Sequence, residues 1–271
     1  MIRRAIDAPV RHSRWAIAGA LVGLLLAVVL FAPAAWLASG IAKATGDRLL
    51  LIDARGSLWT GSARLVLSPG AGSRDASELP ERLGWRLRPV WIDGAVGLKL
   101  VLDQSCCIRP DAAVTARLGI SRVNLRLPDA SPDQPWIRWP AAWLVGLGTP
   151  WNTIAPDGQI AISAQQFVVE KSKGAWQVQG MTQLELRDFS SRLSSLSPLG
   201  SYQLNLMGAS TPQLLLQTQR GPLQLSGQGS LGARTRFEGE ATAAPGSEAA
   251  LANLLNIIGR RDGVRSIISV G

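Results

Sequence analysis

Hydrophobic positions along this chain fall into two regimes. From Trp15 to Ala42 there are 28 consecutive uncharged residues, and their centre reads AIAGALVGLLLAVVLFAPAAWLAS. After Lys43, apolar and polar positions alternate in short runs punctuated by glycine. The first regime predicts a helix. Over Ala16–Ser39 it would be about 36 Å long at 1.5 Å per residue, against about 30 Å for a bilayer core. Pro33 lies in its last third, where it kinks the helix or ends its first segment. Trp15 and Trp36 stand near the two ends, as interfacial aromatics do. A cleaved signal peptide is the alternative, with Ala32, Ala34, Ala35 and Ala38 as small residues for a cleavage site. Its apolar region would normally run only about 7–15 residues, so the length favours a retained anchor.

The second regime predicts strands. Leu49–Ala54 is apolar and ends at Arg55-Gly56. In Ser62–Leu67, Ala63, Leu65 and Leu67 alternate with Ser62, Arg64 and Val66, a half-buried strand of period 2. Ser68–Ser77, rich in Gly, Ser and Pro, reads as a loop. Leu83, Trp85 and Leu87 then share one face, with Arg82, Arg86 and Arg88 around the other. Val96, Leu98, Leu100 and Leu102 repeat the pattern in Ala95–Asp103, and Val114–Leu118 and Arg122–Leu127 continue it. Apolar residues alternating with arginine mean one packed face and one wet face, as in antiparallel sheets.

Pro128–Pro156 differs: it holds six prolines and the tryptophans Trp136, Trp139, Trp143 and Trp151. It reads as a Trp-packed connection, or as an exposed aromatic segment for a partner or the outer leaflet, and it marks a possible subdivision of the chain. Pro140–Gly146 is placed to form a short helix started by Pro140. Strands resume over Gly158–Val169, Gly174–Gln179, Met181–Leu186, Gly200–Met207, Gln213–Thr218, Pro222–Ser226 and Arg234–Glu240. One helix closes the chain, with Ser247 as N-cap and Glu248 in its first turn. Leu251, Leu254, Leu255 and Ile258 form its apolar face. Gly259 ends it, and Arg260 and Arg261 sit where the helix dipole favours cations. A last strand follows at Val264–Val270. The fold class is mainly β: one N-terminal transmembrane helix, a mostly antiparallel β-rich domain and a short C-terminal helix.

Charge orients the anchor. Arg3, Arg4, Arg11 and Arg14 precede it against Asp7; Lys43 and Arg48 follow with Asp47 between them. The positive-inside rule places residues 1–14 in the cytoplasm, 15–42 in the membrane and 43–271 outside. Lys and Arg outnumber acids 28 to 19, but the arginines are spread singly, without the basic block that marks a nucleic-acid patch. Anionic phospholipid, glycolipid or an acidic protein face suit such charge better.

Little chemistry is on offer. The only histidine is His12, which leaves the exported part without Ser-His-Asp, Cys-His or histidine-based metal sites. No P-loop or dinucleotide fingerprint is present, and no cofactor is expected. Glu238 and Glu240 share a strand face and are the nearest thing to a catalytic carboxylate pair; adjacent acids on a strand are more often solvated surface. Cys106 and Cys107 are neighbours. A bridge between them would need unusual geometry, so they read as two small residues in a strand, one on each side, with an intermolecular disulfide as the alternative.

Several segments carry a family resemblance. They are Leu193-Ser-Ser-Leu-Ser-Pro-Leu-Gly-Ser-Tyr-Gln-Leu204, Thr218-Gln-Arg-Gly-Pro-Leu-Gln-Leu-Ser-Gly-Gln-Gly229, Phe237-Glu-Gly-Glu-Ala241 and Leu251-Ala-Asn-Leu-Leu-Asn-Ile-Ile-Gly-Arg-Arg261. With Gly56-Ser-Leu-Trp-Thr-Gly61 and Gly148-Thr-Pro-Trp-Asn-Thr-Ile154, their order resembles the N component of the type II secretion system, also called general secretion pathway protein N. The resemblance implies a non-enzymatic accessory subunit of the inner membrane, N-terminus cytoplasmic, with a periplasmic domain that supports export of folded proteins and works with other subunits. It marks Gly56, Trp59, Gly61, Trp151, Asn152, Pro198, Leu199, Gly200, Tyr202, Gly259, Arg260 and Arg261 as structural or partner-contacting. The β-rich part is also similar in style to AsmA-like proteins, whose curved sheets form an apolar groove, so a phospholipid- or glycolipid-handling protein is the second reading. Within the anchor, Gly19 and Gly23 form a Gly-x-x-x-Gly face for another span.

Overall fold

The computed structural model describes residues 13–73, 75–119, 122–172, 175–232 and 235–271. The tail charges Arg3, Arg4, Asp7, Arg11 and His12, and the predicted strand starts Gly174 and Arg234, lie outside the described residues.

The uncharged run forms two helices, α1 (Ser13–Leu30) and α2 (Ala34–Thr45), divided at Pro33. Proline lacks an amide hydrogen and its ring crowds the preceding turn, so the ladder stops there. The two halves then part company. Every residue from Trp15 to Phe31 is exposed, whereas α2 lays Ala34, Leu37, Ala38 and Ile41 onto the sheet. Of the two outcomes expected at Pro33, the chain takes the second: the first helical segment ends there, and the stretch through Ser39 continues as a separate helix packed on the sheet. Among the described residues, no helix is long and apolar enough to cross a membrane.

The strands are β1 (Leu49–Gly56), β2 (Thr60–Leu67), β3 (Ser77–Glu78), β4 (Leu83–Ile92), β5 (Ala95–Asp103), β6 (Ala113–Leu118), β7 (Arg122–Arg126) and β8 (Ile137–Pro140). A 3₁₀ helix (Ala141–Leu147) follows, started by Pro140 as the sequence predicts, and then α3 (Trp151–Ile154), which starts after Pro150. Then come β9 (Pro156–Ser172), β10 (Ala175–Ser191), β11 (Gly200–Met207), β12 (Gln213–Arg220), β13 (Leu223–Ser230), β14 (Arg236–Ala243), α4 (Glu248–Ile258), β15 (Arg260–Asp262) and β16 (Arg265–Val270). All the described strands join one antiparallel sheet in the order β1-β2-β4-β5-β6-β7-β9-β10-β11-β12-β13-β14-β16-β15, with β3 on β2 and β8 on β9.

Two predicted strands, Gly174–Gln179 and Met181–Leu186, are one strand, β10. Gly180 does not turn the chain. It takes φ +75 at a bulge where the β9–β10 register shifts, opposite Gln166 at φ 49. Similar bulges at Asp53 and Asp188 keep their strands paired on either side.

Register carries the alternation across the whole sheet. Trp85 pairs Leu102, Leu100 pairs Val114, Ala116 pairs Leu125 and Leu125 pairs Val169. Beyond β9, Val169 pairs Val178, Leu184 pairs Leu204 and Leu204 pairs Leu216. Side chains alternate between faces along a strand, so these positions make one apolar face. Three covers lie on it. α2 and the 3₁₀ helix bury Leu51, Ala63, Leu65, Leu67, Trp85 and Trp143. Ile108, Ala112, Ala130, Trp136 and Ile137 form a second cluster, against Leu102 and Ile162. Leu251, Leu254 and Leu255 of α4 close the third, over Leu199, Tyr202, Leu223 and Ala241. Trp136 and Trp143 are buried and Trp139 meets Trp143 edge to face at 4.9 Å, so the Trp-rich segment is a packed connection rather than an exposed one.

Two details of α4 differ from expectation. Ser247 occupies the N-cap without a side-chain cap bond, and Arg260 and Arg261 are exposed in β15 rather than on the helix end. Gly259 is extended; a Cβ there would press on the Ile267 carbonyl, which is why the helix gives way to a strand at a glycine.

Candidate functional site

The most built-up feature outside the cores is the junction between α1 and the sheet. A helix residue's carbonyl normally accepts from the amide four residues on. For Val29 that position is Pro33, which has no amide hydrogen. The missing donor comes from 30 residues away: Trp59 Nε1 donates to the Val29 carbonyl at 2.8 Å. Beside it, the Leu58 amide donates to the Ala32 carbonyl at 2.8 Å, and Pro33 bridges Ser57. The turn Gly56-Ser-Leu-Trp-Thr-Gly61 therefore caps the end of α1.

The same turn is tied down from its other side. Trp85 Nε1 donates to the Leu58 carbonyl at 3.1 Å, and the Leu87 amide donates to the Trp59 carbonyl at 2.7 Å. Gly56 takes φ +87, a conformation that a side chain disfavours. Gly61 faces the Trp85 ring, which a Cβ would approach to 2.5 Å. Three residues of this motif are thus accounted for: the two glycines for turn and clearance, and the tryptophan for a long-reach donor.

Next to the turn, Asp53 sits at φ 50 on the β1 bulge. Arg82 donates to its Oδ2 at 2.6 Å and to its carbonyl at 2.7 Å, and Arg55 chelates the same carboxylate. Arg55 first, then Arg82, hold this carboxyl below its ordinary value. Part of the arginine excess near α1 is therefore spoken for within the fold.

The remaining expected site residues do not converge here. Gly19 and Gly23 lie on exposed α1 with open space around them. Trp151 and Asn152 belong to α3, where Asn152 Nδ2 donates to Asp75 at 3.1 Å and ties α3 to the loop after β2. Leu199 and Tyr202 belong to the core under α4 and Gly200 is buried between them, whereas Pro198 is exposed. The buried Tyr202 hydroxyl donates toward the Leu223 carbonyl at 3.0 Å, and a Cβ on Gly200 would meet that hydroxyl at 2.7 Å. Burial pushes the Tyr202 hydroxyl pKa up. Gly259, Arg260 and Arg261 end at the β15 edge.

Cys106 and Cys107 are corrected: they form a disulfide with each other, with Cα atoms 3.7 Å apart. They sit in the turn after β5 rather than in a strand. There the Glu81 carboxylate accepts from the Ser105 hydroxyl at 2.6 Å and the Cys106 amide at 3.2 Å, and the Arg138 amide donates to the Cys107 carbonyl. A turn frees neighbouring side chains from pointing to opposite faces, the constraint on which the strand reading rested. Glu238 and Glu240 do share a face of β14. They line a shallow open hollow with Leu215, Gln217, Ser226, Gln228 and Ile267, and Glu240 faces Arg265 at 3.5 Å, which is solvated-surface geometry. Among the described residues no cluster of His, Cys, Asp and Glu is arranged to hold a metal.

No curated protein matches the chain, and no solved structure does. The family model described as type II secretion system (T2SS), protein N matches residues 47–267. That span takes in the Gly56–Gly61 turn, the Tyr202 core and α4, and the chain belongs to the type II secretion system protein N family.

Proposed function

We propose that this protein is an accessory component of the type II secretion system, anchored in the inner membrane through α1. On this reading residues 43–271 lie in the periplasm and meet other subunits of the machinery there. The observation that carries it is α1 itself: an uncharged helix from Trp15 to Phe31 whose side chains are all exposed, attached to the domain by a dedicated cap. The 18 residues of α1 make about 27 Å of helix, against about 30 Å for a bilayer core, so the anchor proposed here rests on its bare apolar surface rather than on its length. An apolar helix this bare needs a cover, and lipid is the one that its all-round apolar character suits. Gly19 and Gly23 offer a close-packing face to a neighbouring span. The free edges at β1 and β15 offer backbone for strand addition.

The test is in-cell photo-crosslinking of the full chain from Trp59 and Arg260. Capture of other secretion-system subunits is the expected result, and clean recovery of the uncrosslinked chain from both sites would count against the proposal.

A second reading, acyl-chain binding in an AsmA-like groove, has one observation in its favour. Between the three covers the apolar face stays partly open, with Leu125 and Leu184 each more than a third exposed. A photoactivatable phospholipid should then label Leu184 and its neighbours; labelling confined to α1 would refute this reading.

A further inference from the structure

Some exposed apolar residues outside α1, such as Trp36, Leu147 and Val264, stand singly, but five gather at one end of the sheet. Antiparallel register puts the β1–β2, β4–β5, β6–β7 and β9–β10 connections at one end of the sheet; the second cluster and α4 lie toward the other, while α2 starts at the β1–β2 turn. At the connection end, Trp91 is 74% exposed and its partner across β5, Val96, 51%. Leu118 pairs Val123, both exposed, and Trp176 is 61% exposed opposite Lys171. All five share the apolar face, where Lys171 Nζ stands 5.1 Å over the Trp176 ring. This is also the end from which α1 leaves, since the β1–β2 turn caps it.

The other face of the same hairpins is basic. Arg88 and Lys99 pair across β4 and β5; Arg117 and Arg122 flank the β6–β7 connection. Among the described residues here the acids are Asp93, 3.7 Å from Arg117, which also donates to the Asp93 carbonyl at 3.2 Å, and Glu170 on β9. Tryptophan with arginine and lysine, around small apolar patches, is the composition of a water–bilayer boundary. A protein partner would leave unexplained why the patch stops at the hairpin ends on the α1 side.

We propose that the hairpin ends of β4–β5, β6–β7 and β9–β10 form a docking edge for an anionic phospholipid bilayer surface. Trp91 and Trp176 enter the headgroup layer while Arg117 and Arg122 meet lipid phosphates. The inference rests on the anchoring of α1, which brings this end to the membrane. It makes the domain lie against the bilayer instead of swinging on a single tether.

The test uses the full chain in vesicles of phosphatidylethanolamine and phosphatidylglycerol in equal parts, with acyl chains brominated near the headgroup to quench tryptophan. Part of the quenching should be lost in Trp91→Phe/Trp176→Phe, and a similar part when phosphatidylcholine replaces phosphatidylglycerol or in Arg117→Ser/Arg122→Ser. The quenching of Trp15 and Trp36 should persist throughout. Quenching unchanged in both double variants would overturn the docking edge and leave the anchor standing. Absence of any quenching in the wild-type chain would overturn the anchor and the docking edge with it.

Discussion

Replacing Trp59 by phenylalanine isolates the cap of α1. The ring keeps its bulk and loses only the Nε1–H that reaches the Val29 carbonyl at 2.8 Å. A hydrogen bond of this kind contributes about 0.5–1.5 kcal/mol net, and an acceptor left without a partner in a dry setting costs more. Taking about 1 kcal/mol, the junction should open about 5-fold more often, since about 1.4 kcal/mol is tenfold. The Leu58 amide, bonded to Ala32, reports that opening directly by native-state hydrogen exchange. Thermal stability of the domain should hardly move, because neither Val29 nor Trp59 belongs to the three cores. Pro33→Ala supplies the sharper control. It restores an amide hydrogen where Val29 needs one, so Trp59→Phe should have less effect in that background. A Leu58 amide that exchanges at the wild-type rate in Trp59→Phe would refute the argument. So would a Trp59→Phe effect of equal size with and without Pro33→Ala.

Further predictions concern the domain. Leu254→Ala removes a fully buried side chain of α4 and should cost about 2–5 kcal/mol in denaturant unfolding, whereas Ile257→Ala, on the outer face, should stay within about 1 kcal/mol. The Asp53 carboxyl is held below its ordinary 3.8 by Arg55 and Arg82, so its stabilisation is present above that pH and lost as pH falls through the lower folded-state value. Asp53→Asn, which tolerates the positive φ, should therefore flatten the acid limb of the stability curve while leaving its shape above about pH 5 alone. Cys106→Ser/Cys107→Ser opens a bridge between neighbours, and loop entropy for so short a loop is worth about 1 kcal/mol at most. A loss above about 3 kcal/mol would show that the bridge does more than close its own ring.

Much of the sheet is readable as pattern. Leu83, Trp85 and Leu87 against Arg82, Arg86 and Arg88 gives β4 and its faces from alternation alone, because a strand has no other way to segregate them. Where pattern fails, the missing information is long-range. Gly180 has the same local signature as a hairpin glycine; only its placement opposite Gln166 makes it a bulge within β10. Arg260 and Arg261 suit a helix end equally well, and it is the backbone approach of Ile267 to Gly259 that ends the helix before them. The Cys106–Cys107 bridge escapes a reading by alternation because the strand period stops at the end of β5, one turn before the pair.

The candidate site is legible only in parts. Pro33 and Gly56-Ser-Leu-Trp-Thr-Gly61 each stand out, the first as a break in an apolar run and the second as a glycine-bounded motif. Nothing in either says that they meet. The signal that joins them is chemical: a proline in a helix leaves one carbonyl four residues back without a donor, and a tryptophan in a turn has a donor to place.

By itself the sequence determined pattern-level properties: an uncharged apolar helical run near the N-terminus, an antiparallel sheet with one dry and one charged face, and one amphipathic helix to cover part of the dry face. Each follows from hydrophobic periodicity, which is local and survives any arrangement of the elements. Tertiary structure alone decided which residues are neighbours. It divided the apolar run between α1, which stays bare, and α2, which packs on β1. It also gathered Trp91, Leu118, Val123 and Trp176 at the end of the sheet where α1 departs. Those outcomes depend on strand register and chain crossing, and register is fixed by the sum of many cross-strand pairs rather than by any segment on its own.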